Sequence, residues 1–175
     1  MQIYSLYLIS RSGSLLYQRD IDSFGSPITE QNSNDYLVIA SNLHGMHAIA
    51  SKFKPNLPTK EETNFNKSGI NMNSNKTGLR CIKTDTFNIF LHQTVTGLKI
   101  ILITSSDTIE SEISSLQNEI YRLYSDYVMK SPFYNLEMPI RIKWFDEVII
   151  NTTKKYNIRV NINTNNTNKI STSAK

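Results

Sequence analysis

Two histidines, His44 and His47, are the residues of this 175-residue chain whose spacing comes nearest to a chemical site. Three positions apart on a predicted helix, they could share one face and bind zinc. A third ligand would have to be Cys81 or His92, both on predicted strands, and no spacing signature links either of them to the pair. The histidines are therefore interpreted as surface or helix-edge side chains, and no metal site is predicted.

The sequence also lacks the common catalytic motifs. It holds no G-x-S-x-G, no P-loop and no G-x-G-x-x-G, and only 6 of its residues are glycine. The single cysteine excludes an internal disulfide and a cysteine-based zinc site, and on a strand it is expected to be a small core residue. We therefore predict no catalytic residue, no cofactor and no small-molecule substrate.

The positive charge of the chain is concentrated at its end. The net charge is +4, and the residues from Lys154 to Lys175 include five basic and no acidic side chains. The remainder is slightly acidic and lacks the basic, aromatic face typical of nucleic-acid binding, so no nucleic-acid partner is predicted. The basic end is either a solvated tail or a contact to anionic lipid.

No targeting or membrane-spanning segment is predicted. The opening MQIYSLYLISRSG has no basic region before its apolar run, and no later run approaches the roughly 20 apolar residues that cross a bilayer. A cytosolic or nuclear chain is expected.

Hydrophobic patterning predicts the element order β-β-α-β-β-β-α-α. Residues 2–10 and 15–20 form an opening hairpin, residues 35–53 a helix, and residues 78–85, 86–94 and 97–106 three strands. The last strand is apolar on both faces, which is typical of the middle of a sheet. A helix is predicted over 108–130, with Asp107 as its N-cap and Glu110 completing a capping box, and another from Pro139 onward.

Apolar residues at helical spacing predict which side of each helix is buried. The three predicted sets are Tyr36, Ile39, Leu43, Met46, Ile49 and Phe53; then Ile109, Ile113, Leu116, Ile120, Leu123 and Tyr127; and finally Ile140, Trp144, Val148 and Ile149.

These elements predict one α+β domain over residues 1–156, a five-stranded antiparallel sheet with one helix on one face and two on the other. An Asn-rich stretch, residues 56–76, is expected to be a mobile surface loop, and the Asn-rich basic residues 157–175 a disordered tail.

An aromatic segment connects the last two helices. Residues 131–141 read SPFYNLEMPIR. Their side chains either fold back into the core or form a partner-binding patch, because aromatic residues, Met and Arg are enriched at interface centres.

Several motifs identify a family. T-D-T-F, H-Q-T-x-T-G-x-K, I-Y-x-x-Y-S-D-Y and S-P-F-Y-x-L-E-M-P-I-R occur in order over residues 78–146, and the opening IYSLYLISRSGSLLYQ and HAIASKFKP match more loosely. The chain thus resembles the synbindin family of TRAPP vesicle-tethering subunits. Unlike some synbindins it has no PDZ-like insertion, since only residues 21–34 fill that place.

The resemblance implies a longin-like fold and a non-catalytic role. It implies a complex with a second longin subunit and palmitate-pocket subunits, which promotes nucleotide exchange on a Rab GTPase in ER-to-Golgi vesicle tethering. The implied location is cytoplasmic and peripheral at endoplasmic reticulum and cis-Golgi membranes, with membrane contact through the complex. The alternative is a longin-domain SNARE-like or coat-adaptor module without exchange activity; a SNARE would need a long heptad-repeat helix, whereas Asn-rich residues follow the domain.

Two partner-binding surfaces are hypothesised from this resemblance. Exposed positions on the first helix, Asn42, Gly45 and His47, are candidates to meet the GTPase. Positions in the aromatic segment are candidates to contact a neighbouring subunit: Tyr134, Leu136, Met138 and Arg141. Phe133 is expected to be core.

Overall fold

The computed structural model describes residues 2–21, 33–53 and 78–172, and the side-chain packing of its last helix as far as Asn157. The predicted mobile loop 56–76 lies outside the described residues, as does most of the stretch between the opening hairpin and the first helix. Among the described helices, none combines the length and the hydrophobicity that crossing a bilayer requires.

Five strands form one antiparallel sheet, which confirms the predicted fold class. They are β1 (Ile3–Ile9), β2 (Leu15–Asp20), β3 (Cys81–Lys83), β4 (Phe87–Gln93) and β5 (Lys99–Ser105), in the spatial order β2-β1-β5-β4-β3. The strand that is apolar on both faces, β5, is central as predicted, and Leu102 pairs with Leu6 of β1 and Phe90 of β4.

Alternate residues of β5 supply two cores, one on each face of the sheet. Ile101 and Ile103 belong to a cluster with Ala40 and Leu43 of helix α1 (Ser33–Lys52). On the opposite face, Ile100 and Leu102 pack with the helices α2 (Glu110–Leu123) and α3 (Lys143–Thr172); the residues that these two helices contribute are Ile113, Leu116, Ile120, Leu123, Phe145 and Ile149. The predicted layering of one helix against two is therefore confirmed.

The start of α2 differs from the prediction. Its N-cap is Ile109, and no side chain caps the helix, so the predicted Asp107–Glu110 capping box is wrong. The hydroxyl of Thr108 instead donates to the carbonyl of Ser105 at 2.8 Å, which holds the turn after β5 and delays the helix. Ile109 is consequently 60% exposed and not part of the buried stripe.

The end of α2 widens into a π-helical turn at Tyr124–Met129. A π turn takes more residues per turn than an α-helix, so the buried positions shift along the sequence. Tyr124 and Val128 are buried, whereas Tyr127, predicted to continue the stripe, is 39% exposed.

The last helix begins later than predicted, and of the residues predicted to be buried there Ile140 and Ile149 are buried and Val148 packs partly buried against the core. The backbone N–H of Ile140 donates to the carbonyl of Leu16 at 2.8 Å. That bond holds the chain against the edge of the sheet, so no helix begins at Pro139. In the helix that starts at Lys143, Phe145 and Ile149 are fully buried and Trp144 is 72% exposed, which corrects the prediction that Trp144 is core.

Helix α3 continues through residue 156, where the sequence predicted that the domain gives way to a tail. Asn157 still contacts the sheet, because its side-chain oxygen accepts a hydrogen bond from the N–H of Ile3 at 3.1 Å. That the residues beyond it are disordered stays a prediction.

Candidate interaction surfaces

The histidine pair His44 and His47 is not part of a metal-binding cluster of described residues. Among residues 2–21, 33–53 and 78–172, no group of three or more His, Cys, Asp or Glu side chains could hold a metal ion. His47 is 4% exposed. Its Nδ1 lies 3.3 Å from the carbonyl of Leu79, and its Nε2 lies against the side-chain oxygen of Gln93. The prediction that His47 is an exposed contact position is therefore wrong, since this ring attaches α1 to the sheet.

The cysteine also lacks the features of a nucleophile. Cys81 is half-buried on β3, and its burial raises the pKa of the thiol, which disfavours the reactive thiolate. Interaction surfaces are thus the sites that the described residues support best.

One surface is the outer face of α1, which we define as Val38, Asn42, Gly45, Met46 and Ile49. The predicted stripe is correct for Tyr36, Ile39 and Leu43, which pack against the sheet. It is wrong further along, where Met46, Ile49 and Phe53 are 44%, 59% and 76% exposed. The reason is that each step of three residues falls about 60° short of a full turn, so Met46 and Ile49 drift away from the sheet. His47, four residues after Leu43, occupies the sheet-facing position instead.

Two of the predicted contact positions lie on this face. Asn42 is exposed, and a Cβ added at Gly45 would meet no atom within 4 Å. A glycine in an exposed helix turn costs about 1 kcal/mol relative to alanine, and its missing side chain lets another backbone approach closely. The outer face of α1 is therefore mostly apolar and solvent-accessible, and Gly45 near its centre has no side chain to block a partner.

The second surface is the connecting segment, which we define as Ser131–Ile142. Phe133, expected to be core, is 95% exposed, so that prediction is wrong. A turn in which the N–H of Tyr134 donates to the carbonyl of Ser131 points Tyr134 toward the core instead. Leu136 and Met138 are 70% and 56% exposed, and Arg141 is exposed as well, so three of the four predicted positions lie at the surface.

Hydrogen bonds fix this segment although it contains no regular structure. The hydroxyl of Tyr134 donates to the carbonyl of Met138 at 3.1 Å, and the N–H of Met138 donates to the carbonyl of Asn135 at 3.2 Å. The hydroxyl of Ser12, in the turn of the opening hairpin, donates to the Glu137 carboxylate at 3.2 Å. The segment is therefore joined to the opening hairpin at both Glu137 and Ile140.

Burial also shifts the pKa values of two tyrosines at the segment. Burial raises the pKa of Tyr124, and the neighbouring phenol of Tyr134 adds to the rise. Burial likewise raises the pKa of Tyr134, while its hydrogen bond with Tyr124 opposes the shift. Both phenols are consequently neutral hydrogen-bonding groups at physiological pH.

Two cavities flank the connecting segment. The first, about 510 Å³, lies between the segment, the π-helical turn and the two hairpin turns. Its lining includes Arg11, Leu16, Leu98, Tyr121, Tyr124, Met129, Leu136 and Glu137. The second, about 290 Å³, is lined by Phe133, Tyr134, Met138, Pro139, Arg141 and Ile142, among others. The segment thus forms a ridge with a recess on either side.

Two backbone features at this ridge could not be found by helix and strand patterns. One is the π-helical turn, which forms a wall of the first cavity and is a feature often found at functional sites. The other is Glu137, whose φ of 68° is unusual for a residue other than glycine and costs roughly 1–3 kcal/mol. Only the Leu-Glu-Met-Pro sequence, which offers no glycine for a tight turn, hints at this strain.

Comparisons of the sequence with known proteins found a matching family and several relatives. The sequence matches the model of the Sybindin-like family over residues 3–156. It is 35% identical over 147 residues to "Trafficking protein particle complex subunit 4" of Dictyostelium discoideum, covering 83% of this chain and 92% of the relative. The human protein of the same name is 36% identical over 124 residues; the match covers 71% of this chain and 47% of the human protein, so the chain spans about half the length of that relative.

A more distant similarity involves another protein of this group. "Trafficking protein particle complex subunit 1" of Dictyostelium discoideum is 21% identical over 136 residues, which cover 75% of this chain and 80% of the relative. Both surfaces described above, residues 38–49 and 131–142, lie within the range matched by the family model.

Proposed function

Because the chain belongs to the Sybindin-like family, we propose that it is a non-catalytic subunit of a TRAPP complex that promotes nucleotide exchange on a Rab GTPase. The observation that carries the proposal is the 35% identity to a relative named as a subunit of that complex, which extends over 92% of the relative's length. The proposed process is vesicle tethering between the endoplasmic reticulum and the Golgi.

The proposed mechanism of exchange needs no reacting side chain. An assembly that binds the nucleotide-free GTPase more tightly than the nucleotide-bound form shifts the population toward nucleotide release. Each tenfold difference between the two affinities supplies about 1.4 kcal/mol toward that shift. Residues of this chain would then contribute shape and contacts, and bond-making chemistry would not be required of them.

The outer face of α1 is the surface we assign to the GTPase within a platform built with a second longin subunit. Val38 and Ile49 are 56% and 59% exposed and supply apolar area, while Asn42 offers an amide for hydrogen bonds. Gly45 leaves room for close approach. His47, originally a candidate for the same contact, is instead assigned the role of holding α1 in place beneath that face.

The connecting segment is the surface we assign to a neighbouring subunit of the complex, among which palmitate-pocket subunits are expected. The exposed apolar side chains of Phe133, Leu136 and Met138 favour a protein contact there. In this proposal the chain is cytoplasmic, and it reaches endoplasmic reticulum and cis-Golgi membranes as a peripheral protein through the complex.

Assembly is the first test of the proposal. The tagged chain is co-expressed with the other TRAPP subunits of its own organism, purified by the tag and then separated by size. We expect it to elute in a stoichiometric complex with a second longin subunit. Elution of the chain alone, while the remaining subunits assemble without it, would contradict the proposal.

A further inference from the structure

We propose that the connecting segment Ser131–Ile142 is a preformed ridge that docks a polypeptide of a neighbouring subunit. This partner would place an apolar side chain in the recess on each side of the ridge and a carboxylate against Arg141. The inference rests on the proposed function, because the partner is taken to be another subunit of the same complex.

The shape of the surface favours a polypeptide over a small ligand. The first recess, at about 510 Å³, is by itself within the range of roughly 300–1,000 Å³ that suits small molecules. The connecting segment separates it from the second recess of about 290 Å³, with Leu136 lining the first recess and Phe133 and Met138 lining the second. A chain with two apolar side chains can contact both recesses, whereas a ligand in the first alone would leave Phe133 and Met138 exposed at 95% and 56%, and a ligand in the second alone would leave Leu136 exposed at 70%.

The ridge is ordered before any partner binds, which favours a specific contact. Hydrogen bonds join Tyr134 to Met138, Ser12 to Glu137, and Ile140 to Leu16. Glu137 keeps its φ of 68° within this network. Because strained backbone persists only where its surroundings enforce it, and because a fixed surface loses little conformational entropy on binding, the geometry suits rigid docking.

The charges around the ridge define the partner's chemistry. The first recess has one basic and one acidic side chain in its lining, Arg11 and Glu137, so it is close to neutral. The second recess has Arg141 in its lining. Within the described part of the chain no carboxylate pairs with the Arg141 guanidinium, and the salt bridge found there joins Lys130 to Asp126. An acidic side chain on the partner would form an ion pair with Arg141. The carboxylate of Glu137 also disfavours an anionic lipid surface as the occupant.

Titration of the reassembled complex tests the ridge. The remaining subunits are purified without this chain, and the affinity of added wild-type or variant chain is measured. Leu136→Asp and Arg141→Glu should each weaken binding about tenfold or more, as expected for residues central to an interface.

Two matched variants control for the added charges. Ile109→Asp changes an apolar residue of similar exposure, 60%, at the opposite end of α2. Lys154→Glu reverses a charge on the exposed side of α3. Both should bind within about twofold of wild type. Thermal unfolding of each variant alone should match that of the wild type, since every altered residue lies at the surface.

A photo-reactive phenylalanine analogue introduced at position 136 then identifies what the ridge touches. We expect cross-links to a partner peptide that contains apolar residues and an acidic one. Reversing the charge of that acidic residue should restore the binding of Arg141→Glu.

The outcomes separate this inference from the proposed function. If the wild type binds and both ridge variants bind equally well, the ridge proposal is overturned while membership of the complex stands. A wild-type chain that dimerises alone and loses this dimer in Leu136→Asp would also overturn it, because a second copy would be the occupant. A wild-type chain that does not bind the other subunits contradicts both the ridge proposal and the proposed function.

Discussion

Trp144 and Phe145 are neighbours in the chain with opposite environments. Phe145 is fully buried and packs edge-to-face against Tyr17, with ring centroids 5.1 Å apart, whereas Trp144 is 72% exposed. Both are large aromatic residues, so the sequence pattern alone does not distinguish them. Their difference follows from the residue at which α3 begins.

Replacing each of the two aromatics by alanine tests this assignment. Phe145→Ala should lower the free energy of unfolding by about 3–5 kcal/mol, since it removes a buried ring and leaves a cavity. Trp144→Ala should change it by no more than about 0.5 kcal/mol, as expected at an exposed site. Urea denaturation of the purified variants measures both values. Equal losses in the two variants would show that the helix is rotated relative to the structure described.

The errors of prediction at the residue scale have a common physical origin. Whether Phe133, Trp144 and His47 are buried or exposed depends on where a turn or helix begins. A shift of one residue rotates a helical side chain by about 100° around the helix axis. Helical spacing therefore predicted the existence of each stripe better than its phase. For His47 the deciding contacts come from Leu79 and Gln93, distant in sequence, which no local pattern reveals.

At the scale of elements, the sheet was the most predictable part of the molecule. The run LKIILITS is apolar on both faces, and only a central strand covered by helices on both sides buries all of it. The helix ends were less predictable, because Thr108 and Ile140 make specific hydrogen bonds that override the signals from Asp107 and Pro139. The π-helical turn had no sequence signal at all.

Strand β4 carries a buried histidine that should make stability depend on pH. His92 is 6% exposed, and its burial lowers the pKa of the imidazole in the folded state. Because the unfolded state binds the proton more readily, the free energy of unfolding falls as the pH drops through the unfolded pKa of about 6.5. Burial also lowers the pKa of His44, which adds a change of the same sign.

Thermal unfolding at about pH 7.5 and about pH 5.5 measures this dependence. We expect a lower Tm at the acidic pH, and a smaller decrease in His92→Gln, which lacks the titrating ring. A decrease that is as large in His92→Gln as in the wild type would show that His92 does not contribute.

At the scale of the whole molecule, the two surfaces lie on different parts of the domain. Helix α1 covers one face of the sheet and turns its outer face to the surface, whereas the connecting segment adjoins α2 and α3 on the other side of the sheet. One chain could therefore contact a GTPase and a neighbouring subunit at the same time. The family motifs in the sequence indicated such a role, although the arrangement of cavities beside the ridge required the folded chain.

The proposed function assigns the outer face of α1 to a Rab GTPase, so nucleotide exchange should depend on that face. The matched test of this dependence compares Ile49→Asp on that face with Leu37→Asp, which is 54% exposed on the same helix and lies about 120° away around its axis. Neither position touches the ridge, so both variants should assemble normally.

The decisive measurement is the rate at which the assembled complex releases fluorescent GDP from the Rab GTPase. We expect Ile49→Asp to slow release about tenfold or more, as a change at an interface centre would, while Leu37→Asp releases GDP at the wild-type rate. Equal rates for the wild type, both variants and a complex from which this chain is omitted would contradict this assignment.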